Sequence, residues 1–215
     1  MITYICHRRD RPGPRALDEV ERYSLLAGEW ETVADLPGIF TSPPSMVVYK
    51  DKILVYSMQQ LNDNETEGLL LAYDPETDTW TQLLSEILSV IDLDDFSPVL
   101  VVEDDHCYRV MFVNDVAQVN RLTLQLDNTA PLTGQLCSSH NPTDQTEVPI
   151  DPAAGPFCIN KRLFVNLRGY IHRLNCTLEN MYSGDSDNAG WEEFSLDSSA
   201  AFVNFTFDKN IYSVL

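Results

Sequence analysis

The sequence predicts an all-β protein assembled from repeated hairpins. Three observations carry this. Short apolar runs rich in Val, Ile, Tyr and Phe alternate with Asp, Asn, Gly and Pro along the chain. A hairpin pattern returns at an interval of roughly 50 residues. Helical patterning is scarce. Its best candidate is 81–93, TQLLSEILSVIDL, where Leu83, Leu84, Ile87, Leu88, Val90 and Ile91 stand near i, i+3, i+4 spacing. The same run also reads as a strand entering a loop.

Residues 2–8, 17–23 and 31–36 supply three strands at the start. Each hairpin that follows is an apolar strand, a short polar tip and a second apolar strand. MVVY-KDK-ILVY covers 46–56, VLVV-EDDHC-YRVMFV 99–113, FCI-NKR-LFV 157–165 and FVNFTF-DKN-IYSVL 202–215. Asp, Asn and Lys at the tips suit tight turns that need positive φ. A second pattern lies between the hairpins. Tyr23 precedes Trp30 by seven residues in YSLLAGEW, and Tyr73 precedes Trp80 by seven in YDPETDTW. Trp191, in GWEEFSL, stands about two periods beyond Trp80. The position between them, RLTLQLDNTAPL at 121–132, keeps a strand and lacks the Trp. Physically, a strand ends at the Tyr and Asp74-Pro75 opens a turn. The Trp then starts the next strand and packs between sheets.

The 215 residues carry 33 Asp+Glu against 14 Lys+Arg, a net charge of −19. So acidic a surface repels nucleic acid and anionic lipid, which predicts neither as a partner. No run reaches the ~18 apolar residues of a membrane-spanning helix. Met1 to Cys6 is apolar but short, and Arg8, Arg9, Arg11 and Arg15 follow it, which is not a signal-peptide pattern. The five cysteines, at 6, 107, 137, 158 and 176, form no CxxC and no zinc-ligand spacing with the four scattered histidines. They read as unpaired thiols in a reducing, cytoplasmic compartment rather than as a disulfide framework. Three sequons, at Asn64, Asn175 and Asn204, are what this Asn content gives by chance. No cofactor is expected.

Catalytic motifs are missing. There is no G-x-S-x-G, P-loop, dinucleotide glycine fingerprint or HExxH. Asp185, Asp187 and Gly190 imitate the start of a calcium loop, but Leu196 stands where the bidentate Glu belongs. The acid pairs Asp94-Asp95, Asp104-Asp105 and Glu192-Glu193 read as exposed turn residues rather than as general acid/base pairs. The chain is therefore expected not to be an enzyme. Charge distribution is more telling. From Ile53 to Tyr108 there are thirteen acids and no Lys or Arg, and from Leu174 to Asp208 seven acids and again no Lys or Arg. Five of the fourteen basic residues fall within Arg8–Arg22.

YDPETDTW at 73–80, with LLLA before it and TQLL after it, closely resembles the third-to-fourth strand turn of a kelch repeat. VERYSLLAGEWETVADLP at 20–37 resembles the same region of another repeat, with a tone closer to BTB-kelch (kelch-like) proteins than to F-box/kelch proteins. The motif residues are Tyr23, Trp30, Tyr73, Asp74, Pro75, Trp80 and Trp191. The resemblance is sharp over 17–86 and extends over the rest by its period. It also departs from the family. The glycine doublet that usually ends a repeat's second strand is replaced by Ser57-Met58, by Asn114-Asp115 and by Leu167-Arg168-Gly169.

The resemblance implies an all-β partial kelch β-propeller of about four four-stranded blades. The whole of 1–215 is then one kelch-repeat region: a partial blade at 1–38, blades at 39–87, 88–150 and 151–197, and a partial blade at 198–215. An open arc cut from a larger ring is expected, with 198–215 supplying the first two strands of a further blade; were four blades to close through 198–208, 210–215 would be a surplus second strand. The function implied is a protein–protein interaction module. With a BTB domain upstream it would be the substrate-recognition part of a cullin-based ubiquitin ligase adaptor. The alternative is a cytoskeletal, actin-associated kelch protein. Some kelch-like propellers carry copper oxidase sites of Tyr, His and Cys. Tyr4, Cys6 and His7 lie on one strand and alternate in direction, which argues against such a site here. In BTB-kelch proteins the loops joining second to third strands, and fourth to next first strands, line the partner-gripping face. This marks Arg8, Arg9, Arg11 and Arg15 as a basic contact. Asp92, Asp94 and Asp95, in the loop 86–96, form an acidic one.

Overall fold

The computed structural model describes residues 2–8, 17–24, 26–38, 44–62, 65–89, 98–113, 116–126, 133–137, 157–159, 162–167, 170–174, 176–183, 191–193 and 212–214. The fold is all-β, with four antiparallel four-stranded sheets and one short helix among these residues. Sheet I orders β16 (Tyr212–Val214), β1 (Ile2–Arg8), β2 (Leu17–Ser24) and β3 (Glu29–Thr32). Sheet II runs in chain order through β4 (Ser45–Tyr49), β5 (Lys52–Gln60), β6 (Glu65–Asp74) and β7 (Thr79–Ser89). Sheet III holds β8 (Val99–Glu103), β9 (His106–Val113), β10 (Val116–Gln125) and β11 (Thr133–Cys137). Sheet IV holds β12 (Phe157–Ile159), β13 (Arg162–Leu167), β14 (Tyr170–Leu174) and β15 (Trp191–Glu193). The helix α1 (Leu178–Ser183) lies in the connection from β14 to β15.

Turn chemistry explains the hairpins. Lys50 (φ 49°) and Asp51 (φ 61°) form the two-residue loop between Tyr49 and Lys52, which a right-twisted hairpin closes best with two positive-φ residues. Asp104 (φ 53°) does the same work between Glu103 and His106. Asp104 and Asp105 are exposed, as turn residues should be.

Two compact units can be distinguished. Residues 1–91, 124–135 and 207–215 form the first, and 92–123 and 136–206 the second. The core of the first joins Ile53, Val55, Leu69, Leu71 and Tyr73 of sheet II to Val20 of β2 and to Val33 and Leu36, just beyond β3. Tyr73, Val55 and Leu71 are fully buried, each worth about 1.5–3 kcal/mol in apolar transfer. The core of the second joins Val101, Tyr108, Val110 and Val119 of sheet III to Leu163 and Leu174 of sheet IV and to Leu178 and Met181 of α1.

Several expectations shift. The run 81–93 resolves in favour of the strand as far as Ser89, because Ser85, Glu86 and Ile87 each find a register partner on β6. The remainder lies outside the described residues. The strand expected at 31–36 begins two residues earlier and ends at Thr32. Val33 then donates its N–H to the Val20 carbonyl at 3.0 Å, and Val33 and Leu36 turn into the core. Helix α1 was not anticipated. The strand expected at 210–215, as the second of a further blade, is placed differently. Tyr212–Val214 pairs antiparallel with β1, Tyr4 opposite Val214 and Cys6 opposite Tyr212, as the first strand of sheet I. This pairing satisfies the backbone groups that β1 would otherwise leave as an open edge.

Candidate interaction surface

The tyrosine–tryptophan spacing becomes a cross-strand pair. Tyr73 stands opposite Trp80 with ring centroids 4.9 Å apart and planes tilted by 43°. Tyr23 stands opposite Trp30 at 5.0 Å and 46°. The repeat is thus one geometry built twice, and tilted aromatic pairs at this range are favourable. Trp80 goes further. Its indole N–H donates to the Ala34 carbonyl at 2.7 Å. Asp78, held at φ 52°, accepts the Ala34 N–H at 2.9 Å and the Tyr73 hydroxyl at 2.7 Å. These bonds hold the Asp78 carboxyl below the usual aspartate range. Trp30 is 48% exposed, so the first copy of the motif presents its ring where the second buries it.

The turn between the paired rings is anchored separately. Asp74 accepts the Lys52 ammonium at 2.7 Å and the Glu76 N–H at 3.0 Å, which lowers its carboxyl pKa. Both Lys52 and Asp74 are buried. Pro75 follows at the position where its fixed φ favours a turn. Trp191 opens β15 opposite Leu174, so the fourth sheet keeps the Trp position without the Tyr.

Most of the residues expected to contact a partner lie outside the described residues. Arg8 closes β1 opposite Leu17, after a register shift that follows His7. Arg9, Arg11, Arg15, Asp92, Asp94 and Asp95 lie outside the described residues, as do Asp185, Asp187 and Gly190. Of the basic and acidic candidates the described residues include Arg8 alone. The described residues form a surface where β5 passes to β6 and where β7 ends. Leu61 is 48% exposed and Ile87 58%. In register, Gln59, Glu67 and Ile87 form one cross-strand row. Leu61 donates its N–H to the Glu65 carbonyl at 3.0 Å, in the next row on the same face. Glu67 accepts from Gln59 and from Ser85. Glu65 accepts the Asn62 amide at 2.7 Å. On the opposite face Glu86 accepts the Tyr56 hydroxyl, also at 2.7 Å. The donors of these bonds, Tyr56, Gln59, Asn62 and Ser85, are neutral, consistent with a stretch of sequence holding no Lys or Arg. Ile87 escaped sequence reasoning because it sits in an apolar run with the buried Leu83 and half-buried Leu84 and Leu88, and Leu61 because it stands alone among polar residues.

A second polar cluster surrounds α1. Thr177 accepts the Asn180 N–H at 3.1 Å, an ordinary helix cap. Glu103, from sheet III, accepts the N–H groups of Leu178 (2.8 Å) and Glu179 (3.4 Å) and so supplies the remaining start-of-helix acceptor. Tyr108 donates its hydroxyl to Glu179, and Arg121 reaches the same carboxylate at 3.5 Å while lying 4.9 Å from the Tyr182 ring. Burial and the Glu179 carboxylate push the Tyr108 phenol up. Close by, Arg109 is buried and donates to the Asn120 side chain at 3.1 Å. The buried Cys107 thiol is pushed up to about 12 by desolvation, which makes it unreactive. This cluster fastens the helix to the sheet. It leaves no open acid–base pair.

No family model matches the sequence, and no curated protein matches it. Among solved structures the fold is similar to the crystal structure of a protein from Lactobacillus plantarum, at 13% identity and a TM-score of 0.42, over 90% of this chain. The chain spans 52%, about half, of that protein's length. No helix among the described residues is long and apolar enough to cross a membrane.

Proposed function

We propose that the chain is a divergent kelch-type propeller region that works as a protein–protein interaction module. The observation that carries this is the duplicated tyrosine–tryptophan pair, Tyr23 with Trp30 and Tyr73 with Trp80, at 5.0 and 4.9 Å. Two further features support it. Each of the four sheets has four strands, and three of them meander in chain order. The first sheet is completed by a strand from the far end of the chain, the way a propeller ring is fastened. A scaffold of this kind presents loops on rigid sheets, and loops of that kind carry binding. Read as BTB-kelch, the region recognises substrate for a cullin-based ligase, with the cullin contact made by a BTB domain outside this chain. It is read as a binding protein and not an enzyme.

The test is reconstitution. A partner is identified by cross-linking to the full chain, and binding is then measured between the two purified proteins. Binding that weakens when Arg8, Arg9, Arg11 and Arg15 are changed to Glu, or when Asp92, Asp94 and Asp95 are changed to Asn, supports the module reading. Cosedimentation with actin filaments, unaffected by either set, replaces it with the cytoskeletal one. Sequence upstream of Met1 that encodes a BTB domain supports the ligase role.

A further inference from the structure

Among the described residues, the outer strand of sheet II has an edge with no strand paired to it. β7 is 11 residues long and, among the described residues, is ordered beside β6 alone. Its first half is packed over. Trp80 reaches Ala34, and Gly134 lies so close to Leu83 that a Cβ there would sit 3.1 Å from the Leu83 Cβ and 3.4 Å from its carbonyl oxygen. Its last turn of pleat is not like this. Ser85 and Ile87 are exposed. Edge strands are normally protected by Lys, by Pro or by brevity. TWTQLLSEILS has no Lys, no Pro and full length. Carboxylates lie near the edge on both faces: Glu86 on β7 itself, and on the side of Ile87 and Leu61 Glu65 and Glu67, one strand in on β6.

We infer that the β7 edge at Ser85–Ser89 takes an extended basic segment of a partner protein as a fifth strand of sheet II. Backbone hydrogen bonds along the edge hold the segment, as in other strand-addition complexes. Its alternating Lys or Arg side chains all fall on one face, that of Ile87, where their apolar stems cover Ile87 and their charged ends reach toward Glu65 and Glu67. A second copy of this chain is a poor occupant, because two acidic edges would face each other. The inference rests on the interaction-module reading and names the partner's chemistry.

A labelled peptide of alternating Lys and Val, titrated into the full chain, is the direct test. A Glu/Val counterpart and a Lys/Val peptide with a central Pro are the controls. The Lys/Val peptide is expected to bind, to weaken about tenfold between roughly 0.05 and 0.3 M salt, and to protect the amides of 85–89 from hydrogen exchange. Both controls should fail to bind. Ile87→Lys and Glu65→Lys, at exposed positions, should each weaken binding by about tenfold without moving the melting temperature. Absence of Lys/Val binding, indifference to both substitutions, equal binding of the Glu/Val peptide, or self-association through β7 overturns the inference. A partner that binds instead through Arg8, Arg9, Arg11 and Arg15 or through Asp92, Asp94 and Asp95 overturns this site and leaves the module reading standing.

Discussion

The indole N–H of Trp80 and the carbonyl of Ala34 lie 2.7 Å apart, joining the fourth strand of sheet II to the chain that has just left sheet I. The bond spans 46 residues of sequence and ends in the core that both sheets share. Trp80→Phe keeps the apolar ring and deletes the donor. It should cost about 1 kcal/mol, because the half-buried Ala34 carbonyl loses its partner. Trp30→Phe, at the exposed copy of the motif, should cost less than about 0.5 kcal/mol. Urea unfolding of the two variants, compared at equal slope, measures the difference.

Acid should weaken the same junction. Asp78 and Asp74 both have carboxyl pKa values below the unfolded one, Asp78 through Ala34 and Tyr73, and Asp74 through Lys52. An unfolded chain then binds more protons than the folded one, so stability rises with pH across that window. It is fully present above about pH 4, the ordinary aspartate range, and is lost as pH falls through the lowered folded values. Asp78→Asn tolerates the positive φ but carries no charge to titrate. Urea midpoints taken from pH 6 downward should fall more steeply for the parent than for Asp78→Asn.

Gly68 is a contact requirement. A Cβ there would stand 2.0 Å from the Tyr56 hydroxyl oxygen and 2.9 Å from Cζ, and the Tyr56 ring is fully buried. Gly68→Ala should therefore destabilise by about 1–3 kcal/mol through forced displacement of that ring. Tyr56→Phe removes the closest atom. In the double variant the Gly68→Ala cost should shrink, a coupling that a double-mutant cycle reads directly.

Glu103 starts a helix that belongs to another sheet. Glu103→Ala leaves the Leu178 and Glu179 N–H groups without that acceptor and should cost about 1 kcal/mol. Hydrogen exchange at 178–181 should speed up while amides of β5 and β6 keep their protection. Thr177→Ala should do the same to the Asn180 amide.

The tyrosine and tryptophan positions were legible in the sequence because one spacing served one geometry. Seven residues from Tyr73 to Trp80 is the length that sets the two opposite each other across a short turn. The positive-φ tips at Asp51 and Asp104 were legible for the same local reason. Helix α1 was not. Its six residues are too few for a periodic signal, and one of its capping acceptors, Glu103, lies 75 residues earlier. Ile87 hid differently. Its neighbours Leu83 and Leu84 are packed, and only pairing register tells which residue of an apolar run faces solvent. The basic and acidic loop candidates rest on charge and on the loop positions that the kelch resemblance implies, and charge says what a loop would attract and not where the fold carries it.

The pairing of β16 with β1 sets an order of assembly. Tyr4 and Val214 meet across about 210 residues, a loop whose closure entropy grows only slowly with length but which cannot close before both ends exist. At ordinary synthesis rates of about 5–20 residues per second, β1 waits on the order of 10–40 s for its partner strand. During that interval β1 has one free edge, and sheet I is the last of the four to be finished. Of the described strands, β1 is therefore the one that stays longest in need of protection from mispairing.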